Sequence, residues 1–180
     1  RVAIGGPRRR IGIVAAGKSY LDVRQALDDL GLDERTAQEI GLSVYKVAMT
    51  WPMETEGLRA FAEGLDLLMM VEEKRSIMEW QAKEALYSLP ADRRPLIVGK
   101  TDERGAPLFP SNGELSPGQI ARAIVARLDG LAVPDGLRER MKERLADRDR
   151  LMSQSAGNQP APMARTPYFC SGCPHNTSTR

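Results

Sequence analysis

"GIVAAGKS", residues 12–19, decides the fold. Letter for letter it fits the phosphate-loop pattern G-x-x-x-x-G-K-[S/T], in which backbone amides after a strand cradle phosphates and the lysine reaches the terminal oxygens. The four middle residues are Ile13, Val14, Ala15 and Ala16. They are apolar and consecutive, as in a strand buried on both faces. Residues 5–10 are Gly-Gly-Pro-Arg-Arg-Arg, which cannot supply a preceding strand. A loop made from a strand's own core residues cannot wrap a phosphate. The stretch reads instead as a strand over 10–17 that turns at Gly17 into a helix headed by Lys18 and Ser19. The helix N-terminus keeps an anion-binding reading. A small nucleotide-binding protein using Gly12 to Ser19 is the rival interpretation.

Working outward, the chain alternates. Residues 18–32 predict a helix with Leu21, Ala26, Leu27 and Leu30 on its inner face and Gly31 as its stop. A short helix over 33–41 begins on the cap Asp33. Strands are expected at 42–51, 66–73 and 94–100, and helices at 54–65 and 76–89. The latter offers Ile77, Trp80, Ala85 and Leu89 to the core. Residues 101–115 form a long Gly/Pro/Asn loop. Ser116 and Pro117 open a helix with Ile120, Ala121, Ile124, Val125 and Leu128 on one side. A charged helix follows over 135–154, with a thin apolar stripe of Leu137, Met141 and Leu145. The expected class is α/β: a three-layer α/β/α sandwich around a mostly parallel sheet. The expected organisation is an N-terminal arm (1–9), an α/β domain (10–130), a charged helical appendage (131–154), a linker (155–167) and the start of a further domain (168–180).

Composition narrows the function. The 180 residues are 42% hydrophobic and 28% charged, with a net charge of +2. That balance gives no electrostatic case for nucleic acid or a membrane surface. No apolar run reaches the ~18 residues of a membrane span. Two cysteines in one C-x-x-C spacing are no secreted disulfide framework, which points to a reducing cytoplasm. A start without methionine and a stop inside a motif read as excision from a longer chain.

Three other stretches could carry chemistry. "LLMMVEE" (67–73) is open to two readings, an acidic strand end holding Mg²⁺ or an ordinary buried strand emerging into solvent. The second is favoured, with Glu72 and Glu73 pairing with Lys74 and Arg75 or with another domain. "TWPME" (50–54) places Trp51 at a strand end, where α/β sheets bind ligands. A tryptophan packed at the sheet end explains it more simply. "CSGCPH" (170–175) brings Cys170, Cys173 and His175 together, a set suited to iron–sulfur, zinc or thiol redox chemistry. The chain offers no fourth Cys or His, so a complete site inside these residues is not expected. A metal-binding interaction module built on Cys170, Cys173 and His175 is a further rival.

Four blocks in order carry a resemblance: "GKSYLDVRQALDDLGL", "YKVAMTWPMETEGLRAFAEGLDLLMMVEEKRSIMEWQAKEALY", "LFPSNGELSP" and "TPYFCSGCPHNTST". Together they resemble the 2-oxoacid:ferredoxin oxidoreductases, and among them the fused bacterial indolepyruvate:ferredoxin oxidoreductases. The resemblance implies a transketolase C-terminal-like domain over 10–130, with a structural, interdomain role. It implies that the intact enzyme oxidatively decarboxylates 2-oxoacids to acyl-CoA and passes electrons to ferredoxin. Thiamine diphosphate, Mg²⁺, an iron–sulfur cluster and coenzyme A would serve that enzyme, with none expected in this chain and no activity from it alone. Cys170 and Cys173 would be part of the cluster's ligand set, and His175 would lie near thiamine diphosphate. The expected partners are the remaining domains of the same polypeptide, ferredoxin and a possible second copy.

Overall fold

In the computed structural model, residues 1–128, 131 and 133–158 are described. Five strands and six α-helices are present among them, besides a 3₁₀ turn at Ala91–Arg93: β1 (Val2–Ile4), β2 (Ile11–Ala16), α1 (Gly17–Leu30), α2 (Glu34–Glu39), β3 (Leu42–Val47), α3 (Thr55–Ala62), β4 (Leu67–Val71), α4 (Ile77–Tyr87), β5 (Leu96–Val98), α5 (Pro117–Leu128) and α6 (Asp135–Asn158). The sheet order is β1-β3-β2-β4-β5. β2 lies parallel to β3 and β4, and β4 parallel to β5, while β1 runs antiparallel to β3. The expected α/β architecture with a mostly parallel sheet is present.

The local chemistry of the elements is plain. Asp33 accepts the Thr36 amide at 2.7 Å and so starts α2. Glu54 accepts the amides of Glu56 and Gly57 and starts α3. Gly31, at φ 72°, ends α1 in the left-handed conformation that glycine adopts without a Cβ penalty. Ser116 Oγ accepts the Gln119 amide at the head of α5.

Alternation along each strand divides the core in two. Ile11, Ile13, Ala15, Leu42, Val44, Met69 and Val71 face one side, with Val23, Leu27, Ile120, Ile124 and Met141 packed over them. Val14, Tyr45, Val47, Leu68 and Met70 face the other, beneath Leu58, Phe61, Met78, Ala82 and Leu86. Each fully buried aliphatic or aromatic side chain stabilises by about 1.5–3 kcal/mol. Gly12 lies where Phe61 and Leu65 press closest on β2: a Cβ there would sit 2.7 Å from Phe61 Cε1 and 2.5 Å from Leu65 Cδ1.

Several expectations are corrected. Residues 1–9 are not a free arm, because Val2–Ile4 add an edge strand and Ile4 is buried. Leu21 is 64% exposed and does not join the core. In α4 half of the expected stripe holds: Ala85 is buried and Leu89 packs against the core, whereas Ile77 and Trp80 are half exposed and Met78, Ala82 and Leu86 are buried in their place. α6 runs to Asn158 rather than 154. The expected docking stripe of α6 holds: Met141 is fully buried in the first core, with Leu137 and Leu145 packed against it. Arg144 donates to the Asp29 carbonyl, and Arg148 pairs with the Asp29 carboxylate at 3.0 Å, both at the end of α1.

The chain divides into two compact units, Arg1–Asp149 and Arg150–Arg180. The described part of the second, residues 150–158, is helical. Among the described residues no helix is long and apolar enough to cross a membrane.

Candidate functional site

Connections from β2 lead to β3 on one side and, through β3, to β4 on the other. The carboxyl ends of β2 and β4 therefore flank a topological switch point, the place where open α/β sheets present a ligand crevice. Gly17 and Lys18 follow β2 there, and Glu72 and Glu73 follow β4.

An ion cluster sits there. Lys18 Nζ lies 2.9 Å from Asp22 Oδ2, 3.2 Å from Glu73 Oε1 and 3.0 Å from Glu114 Oε1. One ammonium thus ties α1 to the end of β4 and to the loop before α5. Its pKa is raised, chiefly by the hydrogen bond to Asp22 and then by that to Glu114. The same lysine lowers the Glu73 carboxyl below its ordinary range. One cation among three carboxylates leaves the locus negative. With Ile13 to Ala16 held in the strand and Lys18 already paired with carboxylates, the nucleotide-binding reading of Gly12 to Ser19 lacks both its loop and a free lysine. β2 holds Ile11–Ala16 as strand, as the sequence implies.

Beside this clamp lies a second, buried one. Glu72 does not pair with Lys74 or Arg75. Its carboxylate accepts the Met78 and Glu79 amides at 2.8 and 2.9 Å and caps α4. Lys100 Nζ donates to the Glu72 and Pro110 carbonyls at 2.7 and 3.0 Å. Glu79 accepts the Lys100 amide at 2.9 Å and pairs with Lys83. A Cβ at Gly99 would run into the Glu79 carboxylate. Burial raises the Glu72 carboxyl and lowers Lys100, the latter partly offset by Glu72 and Glu79. Every polar group in this network is engaged in holding backbone or another charge, and none is left as a poised nucleophile or base. Sequence reasoning misses this network, since its partners lie 21 and 28 residues apart along the chain.

Trp51 is not packed at the sheet end; with Met53, Arg59, Gln81, Glu84 and Tyr87 it lines a cleft of about 490 Å³. It is 60% exposed and stacks on Trp80 with ring centroids 5.6 Å apart. Gln81, itself buried, fixes this turn: its Oε1 accepts the Met53 amide and its Nε2 donates to the Thr50 carbonyl, both at 2.9 Å. A cleft of about 670 Å³ lies at the opposite, amino-terminal end of the strands, by Leu67 and Leu96. There Arg127 pairs with Glu103 at 2.7 Å. Cys170, Cys173 and His175 lie outside the described residues. Among the described residues no group of three or more His, Cys, Asp or Glu is arranged to hold a metal ion.

The family model described as the indolepyruvate oxidoreductase domain matches residues 1–151. The chain belongs to that family. Similar curated relatives of this indolepyruvate oxidoreductase domain are indolepyruvate oxidoreductase subunits IorA. That of Methanothermobacter thermautotrophicus is 30% identical over 176 residues, covering 97% of this chain and 23% of the relative. That of Thermococcus kodakarensis is 27% identical over 169 residues, covering 94% and 22%. The chain therefore spans less than a quarter of the length of these relatives. Among solved structures, a split gene transketolase, described as an inactive beta4 tetramer, superposes with a TM-score of 0.45 at 20% identity, covering 72% of this chain and 41% of that one.

Proposed function

We propose that this chain is a structural, interdomain domain of an indolepyruvate:ferredoxin oxidoreductase, whose intact form oxidatively decarboxylates 2-oxoacids to acyl-CoA with electrons passed to ferredoxin. The observation that carries the proposal is the switch point, occupied by Lys18 and its three carboxylates where a catalytic α/β domain would keep a crevice. Family membership and the chain's share of its relatives' length support it.

The described residues do not fit thiamine diphosphate, Mg²⁺ or an iron–sulfur cluster. The lysine at the head of α1 is already held by carboxylates, and both cysteines and the one histidine of the sequence lie outside these residues. These cofactors and coenzyme A are assigned to the rest of the polypeptide. Cys170 and Cys173 are proposed as part of a cluster's ligand set, and His175 as a neighbour of thiamine diphosphate. A linker over 155–167, the start of a further domain over 168–180, ferredoxin as electron acceptor, a homodimer and a cytoplasmic setting belong to the same proposal.

The test is Lys18→Met in the full-length enzyme. Thermal stability should fall while kcat and KM for indolepyruvate, per folded enzyme, stay within about twofold. A tenfold loss of kcat at unchanged stability would make Lys18 catalytic and refute the structural role. Anaerobically purified Cys170→Ser and Cys173→Ser should each lose iron and acid-labile sulfide; full retention removes the ligand assignment.

A further inference from the structure

α4 is apolar on two sides. Met78, Ala82, Ala85 and Leu86 face the core. At a period of 3.6, Ile77, Trp80 and Tyr87 fall together on the opposite stripe. They are 46%, 49% and 75% exposed, and Trp51 extends the stripe by stacking on Trp80. Both tryptophans of the sequence are therefore spent on one open surface. Exposed Lys83 and Glu84 separate Trp80 from Tyr87 along the helix, and Arg94 lies over the Tyr87 ring at 5.4 Å, so the apolar centre of this surface is Trp51, Trp80 and Ile77.

The patch is also held in place. Gln81 pins the 50–53 turn to α4 through the Thr50 carbonyl and the Met53 amide, so Trp51 is presented rather than left to swing. Rigid, preorganised aromatic side chains cost little entropy on association, and Trp and Tyr are the residues that dominate interface energies. At about 150–250 Å² for each aromatic side chain, covering the exposed parts of Trp51, Trp80 and Tyr87 would remove roughly 300–400 Å². A standard interface buries about 800 Å² per partner. The patch thus supplies the centre of an interface, not the whole of one. At its edge Lys74 and Arg75 are exposed beside Ile77 around one shallow hollow, which also holds Glu73, a carboxylate already paired with Lys18.

We infer that the Trp51–Trp80 face of α4 is the surface on which another domain of the same polypeptide docks, and that this domain presents an apolar area bordered by carboxylates opposite Lys74 and Arg75. The inference rests on the interdomain reading above. The choice of occupant follows from length: more than three quarters of each of the relatives lies outside the part this chain matches. The rim cations give the partner its sign.

The experiment uses the full-length enzyme with benzoylphenylalanine in place of Trp80 or, separately, Tyr87. Irradiation should give an intramolecular cross-link to a peptide outside these 180 residues. Hydroxyl-radical footprinting of the unmodified enzyme should show Trp51 and Trp80 oxidised at least fivefold more slowly than after denaturation. Cross-links between two copies, or no cross-link with both tryptophans freely oxidised, would overturn the inference. An enzyme that turns over no 2-oxoacid yet gives the intramolecular cross-link sinks the functional reading and keeps this one. An active enzyme without the cross-link does the reverse.

Discussion

Gly12→Ala separates the two glycines of the 12–19 pattern. The new Cβ would stand 2.5 Å from Leu65 Cδ1, 2.7 Å from Phe61 Cε1 and 3.1 Å from Phe61 Cζ. Phe61 and Leu65 are 1% and 5% exposed, so neither can swing away into solvent. Overpacking of this kind costs about 1–3 kcal/mol. For a unit of this size each kcal/mol lowers Tm by about 2–4 °C, so a drop of roughly 2–12 °C is expected by circular dichroism. Leu65→Ala removes the nearest atom. The double variant should therefore cost about 1 kcal/mol less than the sum of the singles in urea titrations. Gly17→Ala is the contrast. Gly17 has φ 51° and nothing within 4 Å of a Cβ, so its cost is conformational, about 1–2 kcal/mol, and additive with Leu65→Ala. A neutral Gly12→Ala, or strict additivity with Leu65→Ala, would refute the packing account.

Three further outcomes are expected. Because Lys18 depresses Glu73 in the folded state, that carboxylate's contribution is present above its unfolded value, about 4.3, and is lost as pH falls through the lower folded value. Lys18→Met should flatten the acid limb of a stability-versus-pH curve below about pH 4.5, and an unchanged limb would count against the clamp. Burial raises Glu72, so its contribution is full below the ordinary carboxylate range and is lost as pH rises through the raised value. The Tm of Glu72→Gln relative to wild type should therefore climb between pH 4 and 8 in thermal melts, and a falling difference contradicts the desolvation argument. Met141→Ala should cost about 2–4 kcal/mol in urea titrations, since that side chain is fully buried; a loss under 0.5 kcal/mol would place α6 outside the core's cooperative unit.

The strand–helix alternation is legible in the sequence because buried parallel strands are apolar letter by letter, as in Ile13 to Ala16 and Leu67 to Val71. The stops at Gly31 and the cap at Asp33 are legible because their chemistry is local. α4 shows where this ends. Its apolar residues fill two faces, and counting them does not say which is buried. Glu79 and Gln81 decide it: they turn inward because Lys100 and Met53 offer backbone amides there, from loops distant in sequence. The switch-point clamp is half legible. Asp22 stands four residues after Lys18, whereas Glu73 is brought to Lys18 across 55 residues. β1 escapes because three residues ahead of a Gly-Gly-Pro-Arg run carry too short a pattern.

α4 is joined to three separate strand ends by its own polar side chains and cap: Gln81 to the turn after β3, the Glu72 carboxylate after β4, and Glu79 to the backbone after β5. The helix acts as a common axle for the carboxyl edge of the sheet. One residue inserted within α4 would rotate everything beyond it by about 100° and release the turn and the β5 end together. Within the 101–115 stretch the exposed residues 103–107 and 111–114 tolerate length far better, whereas Phe109 and Leu115 are buried in the core. Descendants of this fold are thus free to lengthen that loop and bound to conserve the pitch of α4.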